Sequence, residues 1–299
     1  MNTAIAKSIS EYLDQLRVAL AGSDPALIQD ALYDAEDYLR SEWAEHPEMD
    51  EASLLASVAG SYGAPAEVAD IYRDTEVTVH RALRVPPPKP RVSPLGRFFG
   101  VLADPHAYTS VLYLLLSLVT GIFYFTWVVA GLSMAAGLAV LVVGIPFTIL
   151  FFASVRGLSL VEGRLVEVML GERMPRRPLY SDREKPVLER IKTVFLDPRT
   201  WSTLVYMLLM LPLGVIYFTF IVVALSLSLG IAAMPVLELF GSENNFYWFG
   251  APIHLPLWSL PVTFAIGVLM LVLTLHAARG LGLLQATLAK HQLVKSAQP

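Results

Sequence analysis

Cysteine and charged residues are what this sequence has little of. None of its 299 residues is cysteine, and Asp, Glu, Lys and Arg together account for only 16% of them. The absence of cysteine excludes disulfide bonds and thiolate metal sites, and it leaves the redox compartment undetermined. Because soluble domains carry about 25% charged residues, the low charge and the mean hydropathy of +0.55 are typical of a membrane protein.

The apolar residues are gathered in long stretches without Asp, Glu, Lys or Arg. One stretch fills the 51 residues between Asp104 and Arg156, and two more cover residues 200–237 and 244–278. About 20 apolar residues suffice for one helical crossing of a bilayer. We therefore predict an all-α protein with four transmembrane helices, near residues 108–131, 135–157, 202–232 and 256–278.

Lys and Arg are distributed unevenly around these stretches. Five lie in residues 81–97, ten in 156–199 and three in 279–295, whereas the two opposite hairpin tips have none. The positive-inside rule then places both termini and the central loop in the cytoplasm. The turn near Ser133 and the loop from Met234 to Leu255 would lie outside. The N-terminal part has no secretory signal pattern, so we expect no cleavage there.

Two passages of the sequence repeat each other. "LADPHAYTSVLYLLLSLVTGIFYFT" is followed 93 residues later by "FLDPRTWSTLVYMLLMLPLGVIYFT", and aligning Asp104 with Asp197 gives 13 identities in 30 positions. "VRGLSLVEGRL" and "ARGLGLLQATL" match at an offset of 123, so the second copy holds about thirty more residues. Asp-Pro is typical of a capped helix start. We predict two tandem parallel repeats of helical hairpins, related by an axis along the membrane normal.

The first 80 residues differ in composition from the rest, with 16 acidic and 4 basic residues. Apolar residues recur there at helical spacing, and signals at Asp24-Pro25, Asp50 and Gly63-Ala64-Pro65 separate four predicted helices. The net charge of −12 argues against binding nucleic acid or anionic lipid, and we expect most of the carboxylates to face solvent. Because a bundle of about 80 residues has a marginal core, we expect it to pack on a partner or on a second copy in a homodimer.

These features divide the sequence into successive parts. We predict a cytoplasmic acidic helical domain over residues 1–82, a basic proline-rich linker over 83–97, a first membrane repeat over 98–175, a second membrane repeat over 176–290 and a tail over 291–299. The second repeat includes an extracytoplasmic insertion at residues 234–256. The proline run in the linker favours an extended, semi-rigid chain, which could pass motion between the two parts.

Two resemblances together cover nearly the whole chain. "YLDQLRVALAG", "ALYDAEDYLRSE" and "YGAPAEVADIY" in the acidic part resemble the N-terminal HAAS signalling domain of bacteria. "DPRTW", "LPLGVIYFTFIVVALSLSLG", "LPLW" and "ARGLGLLQATLA" resemble the sensor domain often found ahead of bacterial histidine kinases, over about residues 94–290. Most of these motifs are structural, so they identify a family better than a mechanism.

The resemblance implies a multi-pass signalling protein of the bacterial inner membrane. Only nine residues follow Lys290, which leaves no room for a phosphoacceptor or ATP-binding domain. We therefore expect the output to pass through a cytoplasmic protein partner. Family context suggests a PadR-like transcription regulator or a separate kinase, and membrane lipids are the other expected partners.

Catalytic motifs are absent from the sequence. It contains no His-Glu-x-x-His, Gly-x-x-x-x-Gly-Lys or Gly-x-Gly-x-x-Gly pattern for zinc, phosphate or a dinucleotide. Glu42 and His46 stand at helical spacing, but one such pair is a weak metal signal. We predict no enzyme activity, no metal and no cofactor.

Transport of a small molecule or lipid is the alternative function, because parallel repeats also occur in transporters. No Asp, Glu, Lys or Arg lies deep in a predicted span, whereas ion-coupled pumps usually place ionisable groups there. A neutral-lipid pathway would escape that objection, since the spans carry hydroxyl groups. These hydroxyl groups, which could equally bond between helices, belong to Tyr113, Ser117, Thr120, Tyr124, Thr126, Tyr206, Tyr217 and Thr219.

The outer insertion is the predicted sensing site, because it is the only sizeable outer segment and the two repeats differ there. Its aromatic residues could form an amphipathic lid in the outer interface or line a ligand pocket. The candidate ligand-binding residues are Asn244, Asn245, Tyr247, Trp248, His254 and Trp258. We hypothesise that a signal changes how this segment sits, alters the packing of the repeats and moves the acidic bundle through the proline linker.

Overall fold

The computed structural model describes residues 6–58, 60–83, 93–141, 143–177, 196–239, 247–248, 251–252 and 256–294. Most of these residues are helical, and the described helices are numbered α1 to α9 in chain order. Residues 84–92 of the predicted proline-rich linker lie outside the described residues. The predicted all-α fold with four membrane-spanning candidates is confirmed.

The N-terminal module consists of α1 (Ile9–Ala19), α2 (Pro25–Glu45), α3 (Glu51–Val58) and α4 (Pro65–Leu83). The predicted starts of the later helices are confirmed. Asp24 caps α2, because its carboxylate accepts a hydrogen bond of 2.8 Å from the backbone N–H of Ala26. Gly63 precedes α4 with a φ of +104°, a conformation that glycine adopts at little cost.

One apolar core joins these four helices. The side chains of Leu16, Leu20, Leu39 and Leu54 are at most 1% exposed. Tyr12 of α1 also reaches across the module, and its hydroxyl donates a hydrogen bond of 2.9 Å to the carbonyl oxygen of Gly63. The helical spacing of apolar residues in the sequence therefore predicted the faces that are buried.

The membrane part begins with the short helix α5 (Pro94–Phe99) and a 3₁₀ turn (Gly100–Ala103). It continues with α6 (Pro105–Leu138), α7 (Gly144–Leu170), α8 (Pro198–Leu239) and α9 (Leu260–Leu293). These last four helices are long and apolar enough to cross a membrane. Between α8 and α9, β1 (Tyr247–Trp248) pairs antiparallel with β2 (Ala251–Pro252), and a 3₁₀ turn (Leu257–Ser259) precedes α9.

The helices extend beyond the approximate membrane spans that the sequence predicted. Ser133, the predicted turn, lies inside α6, and Met234 of the predicted outer loop lies inside α8. The second and fourth spans were predicted to end at 157 and 278, but α7 and α9 continue to Leu170 and Leu293. Charged residues ended the predicted spans, yet a helix continues past such residues when their charges find water or partners.

Close backbone contact joins α6 to α8. A Cβ atom added at Gly121 of α6 would overlap the carbonyl oxygen of Met210, and one added at Gly214 of α8 would overlap that of Ser117. The sequence alignment matches Gly121 with Gly214 and Ser117 with Met210, so the two contacts are reciprocal. Small residues permit such an approach between membrane helices.

The two Asp-Pro motifs cap α6 and α8, as predicted. Asp104 accepts a hydrogen bond of 3.0 Å from the N–H of His106, and Asp197 accepts one of 3.0 Å from the N–H of Arg199. Each aspartate also faces an arginine of the other hairpin. Arg279 lies 2.6 Å from Asp104, and Arg156 lies 3.7 Å from Asp197. These contacts gather the start of α6 and α8 and the later parts of α7 and α9 at one end of the four helices.

Candidate functional site

A buried carboxylate lies among the four long helices. Glu162 of α7 is 0% exposed, and three tyrosine hydroxyls donate hydrogen bonds to it. Tyr113 and Tyr206 reach Oε1 at 2.6 and 2.9 Å, and Tyr124 reaches Oε2 at 3.0 Å. The tyrosines come from α6 and α8, so the carboxylate ties three helices together.

Gln285 extends this network into α9. Its Nε2 donates a hydrogen bond of 3.0 Å to the hydroxyl of Tyr206 and one of 3.1 Å to the sulfur of Met210. The hydroxyl of Tyr217 donates to Oε1 of Gln285 at 3.1 Å. Gln285 is 0% exposed, like Glu162. Glu162, Gln285 and the four tyrosines are called the polar core below.

The polar core is nearly matched between the two hairpins. Aligning the predicted repeats pairs Glu162 with Gln285 and pairs the four tyrosines two by two. The hydroxyl of Tyr124 donates to Glu162 as the hydroxyl of Tyr217 donates to Gln285. The central difference is therefore a carboxyl group in α7 where α9 has an amide. Since hydrogen bonds strengthen and unpaired groups become costly in an apolar interior, this network favours one arrangement of the helices.

Sequence reasoning missed the polar core. Glu162 lies beyond the predicted span of residues 135–157, so the spans were expected to hold no ionisable group at depth. In the structure α7 continues past Glu162, which is enclosed among the other helices. The signal that could have revealed it was the repeat alignment, because Glu162 and Gln285 stand at the same place in "VRGLSLVEGRL" and "ARGLGLLQATL".

A second polar cluster joins the N-terminal module to the segment that follows α7. Asp30 of α2 is 5% exposed, and its Oδ1 accepts hydrogen bonds of 2.7 and 2.9 Å from the backbone N–H groups of Arg176 and Arg177. The guanidinium of Arg173 lies 3.4 Å from the other carboxylate oxygen. Burial raises the pKa of the Asp30 carboxyl, and these hydrogen bonds and the arginine act in the opposite direction.

Further ion pairs surround Asp30. Arg177 lies 3.0 Å from Asp34, and Arg173 pairs with Glu76 of α4. Lys290 of α9 lies 2.7 Å from Asp24, the capping residue of α2. We call the acidic residues of the module that make these contacts the docking face; they are Asp24, Asp30, Asp34 and Glu76. The sequence predicted that most carboxylates of the module face solvent, whereas these four contact basic residues of the membrane part.

The segment that receives the docking face is also fixed to α7. Gly171 ends α7 in the left-handed region with a φ of +76°. Met174 is 1% exposed and packs over Gly163, where an added Cβ would lie 3.3 Å from the Met174 Cβ. Residues 171–177 therefore contact two parts of the protein. They pack on α7 at Gly163, the residue after Glu162, and they bind the N-terminal module.

Only part of the predicted ligand-binding set falls within the described residues. Asn244, Asn245 and His254 are outside the described residues. The backbone of Tyr247 and Trp248 forms strand β1. Trp258 lies in the 3₁₀ turn before α9 and is 77% exposed. The predicted binding role of these six residues stays a prediction.

The fold and the polar clusters define a helical protein with four candidate membrane-spanning helices and a helical module docked on one end of them. The model of the family described as "Putative sensor" matches residues 113–293, more than half of the chain. The chain belongs to this sensor family. Searches among curated proteins and among solved structures found no match for it.

Proposed function

We propose that this protein is a non-catalytic membrane sensor that passes a signal from the membrane or the outer side to a cytoplasmic partner through its N-terminal module. One observation carries the proposal: Asp30 of the module accepts hydrogen bonds from the backbone of Arg176 and Arg177, in the segment that directly follows α7. Because α7 also carries Glu162, one helix links the polar core to the docking face.

The proposed mechanism has two arrangements of the four helices. In the first, the polar core is intact and residues 171–177 hold the docking face. A signal that separates the tyrosines from Glu162 would shift α7 and the attached Met174. The backbone N–H groups that bind Asp30 would shift with them, and the module would be released or turned toward its partner. Such a signal must bind one arrangement better than the other.

The input side of the proposal keeps the outer segment as the sensing element. Its six candidate residues precede α9 in the sequence. Helix α9 packs closely against α8 near Gly267, because a Cβ atom added at Gly267 would overlap the backbone of Ala232. A change in how the segment sits could therefore alter helix packing. Replacing residues 244–249 with a Gly-Ser loop should abolish the response while preserving membrane insertion, and an unchanged response would exclude this route.

The orientation and the partner are also proposals. Lys and Arg are concentrated around the end of the helices where the module docks, which supports a cytoplasmic location for that end and for both termini in a bacterial inner membrane. The resemblance of residues 1–82 to a HAAS domain supports a signalling role for the module. A PadR-like regulator or a separate kinase would then be its partner, on family context.

The docking step can be tested by hydrogen exchange on the full-length protein in lipid nanodiscs. We expect Asp30→Ala to raise exchange at residues 171–177 by about tenfold, because removing a charged acceptor of two hydrogen bonds costs about 1.5 kcal/mol or more. Asp37→Ala, on the exposed side of α2, is the matched control and should change nothing. Equal exchange in the two variants would contradict the docking step.

The signalling role needs a separate measurement. Cross-linking and affinity capture from the native membrane should recover a regulator or kinase with the full-length protein but not with a variant lacking residues 1–82. Recovery of the same protein with both forms would remove the module from the output.

Transport remains the second candidate function, because Glu162 supplies the buried ionisable group that the sequence analysis missed. Transport predicts that Glu162→Gln abolishes movement of a substrate across vesicles containing the protein. Sensing predicts no such movement for either form.

A further inference from the structure

The N-terminal module holds a segment of its own chain as a peptide-binding surface holds a peptide. The segment of residues 171–177 has no helix or strand, and the module binds its backbone directly. Oδ1 of Asp30 accepts hydrogen bonds of 2.7 and 2.9 Å from the N–H groups of Arg176 and Arg177. Nε2 of Gln29 donates one of 2.8 Å to the carbonyl oxygen of Arg177. These contacts would form with any basic segment of the same backbone conformation.

Arginine side chains make the rest of the contact. Arg177 lies 3.0 Å from Asp34. The side chain of Arg173 is 9% exposed, lies 3.4 Å from Asp30 and also pairs with Glu76. Planar guanidinium groups bind carboxylates through several N–H donors in a fixed geometry, which lysine does not reproduce. The docking face therefore suits a segment with two arginines four residues apart.

The segment fits the docking face imperfectly. A cavity of about 410 Å³ lies beside it, and Leu27, Tyr72 and Thr75 of the module line this space. Nε of Arg173 is buried and has no hydrogen-bond partner among the described residues. A buried donor without a partner weakens a contact, and a cavity forfeits dispersion contacts. A segment that filled this space better could therefore displace residues 171–177.

The covalent connection to α7 gives residues 171–177 an advantage over a segment of another protein. A tethered segment acts at an effective concentration on the order of millimolar. A separate segment with a similar fit is therefore excluded at lower concentrations. The movement of α7 in the proposed mechanism would remove this competition.

The charge of the module indicates what else could bind there. Residues 1–80 have a net charge of −12. Such a charge repels nucleic acid and acidic protein surfaces, and it attracts a basic segment before contact is made. A protein segment rich in arginine therefore matches both the charge and the hydrogen-bonding groups of the docking face.

We propose that the docking face binds an arginine-rich, non-helical segment of the module's partner protein, and that residues 171–177 occupy this face as an internal competitor. The arginines of the partner take the places of Arg173 and Arg177, and its backbone N–H groups donate to Asp30. Docking and partner binding then exclude each other. This inference rests on the proposed release of the module and adds the chemistry of its partner.

The test is fluorescence anisotropy of a labelled peptide with the sequence of residues 171–177, added to full-length protein in phosphatidylcholine nanodiscs. Arg173→Gln combined with Arg177→Gln weakens the internal competitor. This double variant should bind the peptide at least about tenfold more tightly than the wild type does, because charge-assisted contacts of the competitor are lost. Equal binding by the wild type and the double variant would overturn the proposal.

A second peptide and a milder variant serve as controls. A peptide with its three arginines replaced by glutamine should bind the double variant at least about tenfold more weakly. The Arg177 side chain is 55% exposed, so Arg177→Gln alone should fold normally and show a smaller gain in affinity for the original peptide. Equal binding of the two peptides, or no gain in Arg177→Gln, would contradict the proposal.

Two further substitutions in the double variant locate the binding. Asp30→Ala should lower the affinity for the peptide about tenfold, because the carboxylate accepts two N–H groups. Asp37→Ala, on the exposed side of α2, should leave the affinity unchanged. Equal losses would mean unspecific attraction to an acidic surface and would overturn the assignment.

A second copy of this protein is the alternative source of the arginine-rich segment. Mass photometry of the double variant mixed with the wild type should show no dimer that excess peptide dissociates. Such a dimer would assign the docking face to a second copy and overturn a separate partner. The peptide assay needs neither a signal nor a natural partner, so its failure would leave the docking step, which hydrogen exchange tests, unaffected.

Discussion

Arg279 of α9 lies 2.6 Å from Asp104, the residue that caps α6. The matching Arg156 of α7 faces Asp197 at 3.7 Å, and Asp197 caps α8. Each ion pair joins the later helix of one hairpin to the first helix of the other. Reciprocal pairs are expected when two similar units are related by a two-fold axis, as the predicted parallel repeats would be. Matched positions therefore serve as controls for each other.

The capping and ion-pair roles of Asp104 can be separated. Asn caps a helix as well as Asp does, whereas Ala costs about 1 kcal/mol at this position. Arg279 is half exposed, so loss of the ion pair alone should cost less than about 1 kcal/mol. We expect Asp104→Asn to lower the Tm slightly and Asp104→Ala to lower it clearly more. Thermal unfolding in detergent measures both, and equal shifts would contradict the capping role.

The reciprocal glycine contact between α6 and α8 should tolerate no side chain. Gly121→Ala and Gly214→Ala place a Cβ against the backbone of the facing helix, and such overpacking costs about 1–3 kcal/mol. Gly137 of α6 and Gly230 of α8 have nothing within 4 Å of an added Cβ. The same substitutions there should be neutral or stabilise by about 0.5–1 kcal/mol. If all four variants unfold alike in a denaturant series, the close approach is wrong.

The polar core offers a matched pair of tyrosines. Tyr124 donates to the carboxylate of Glu162, and Tyr217 donates to the amide oxygen of Gln285. Hydrogen bonds to charged groups contribute about 1.5–3 kcal/mol and those between neutral groups about 1 kcal/mol. We expect Tyr124→Phe to destabilise the protein more than Tyr217→Phe.

The comparison can be repeated in a Glu162→Gln background. There both acceptors are amides, so the difference between the two tyrosine variants should disappear. A difference that persists would mean that packing, and not the charge of Glu162, distinguishes the two sites.

The N-terminal module should lose stability at alkaline pH. Burial raises the pKa of Tyr62 to about 12 from an ordinary value of 10.0, and the nearby Asp34 adds to this effect. The tyrosinate is therefore favoured in the unfolded chain, and stability that is complete below pH 10 should fall as the pH rises to about 12. Burial raises the pKa of Tyr12 and Tyr72 as well, with the same sign.

Thermal unfolding of the full-length protein, followed by circular dichroism at pH values between 10 and 12, would show this loss as a falling Tm. Tyr62→Phe should reduce the pH dependence without removing it, because two other tyrosines titrate. An unchanged pH dependence in this variant would exclude Tyr62 as a contributor.

The sequence by itself determined the helix starts and the number of long helices. Asp24-Pro25, Asp104-Pro105 and Asp197-Pro198 each begin a helix, because a cap acts on N–H groups within three residues of it. The long uncharged stretches determined the four membrane-spanning candidates, because the thickness of a bilayer sets a minimum length. Both signals are local and need no knowledge of packing.

The tertiary structure alone decided what the charged residues near those helices do. Glu162 is bound by tyrosines that are 38 to 49 residues away in the chain, and Asp30 accepts from backbone groups about 146 residues away. A carboxylate that faces water and one enclosed by hydrogen-bond donors look the same in a sequence. They differ only in which groups the fold brings within about 3 Å of the carboxylate. Those hydrogen-bond donors alone offset the free-energy cost of removing the carboxylate from water.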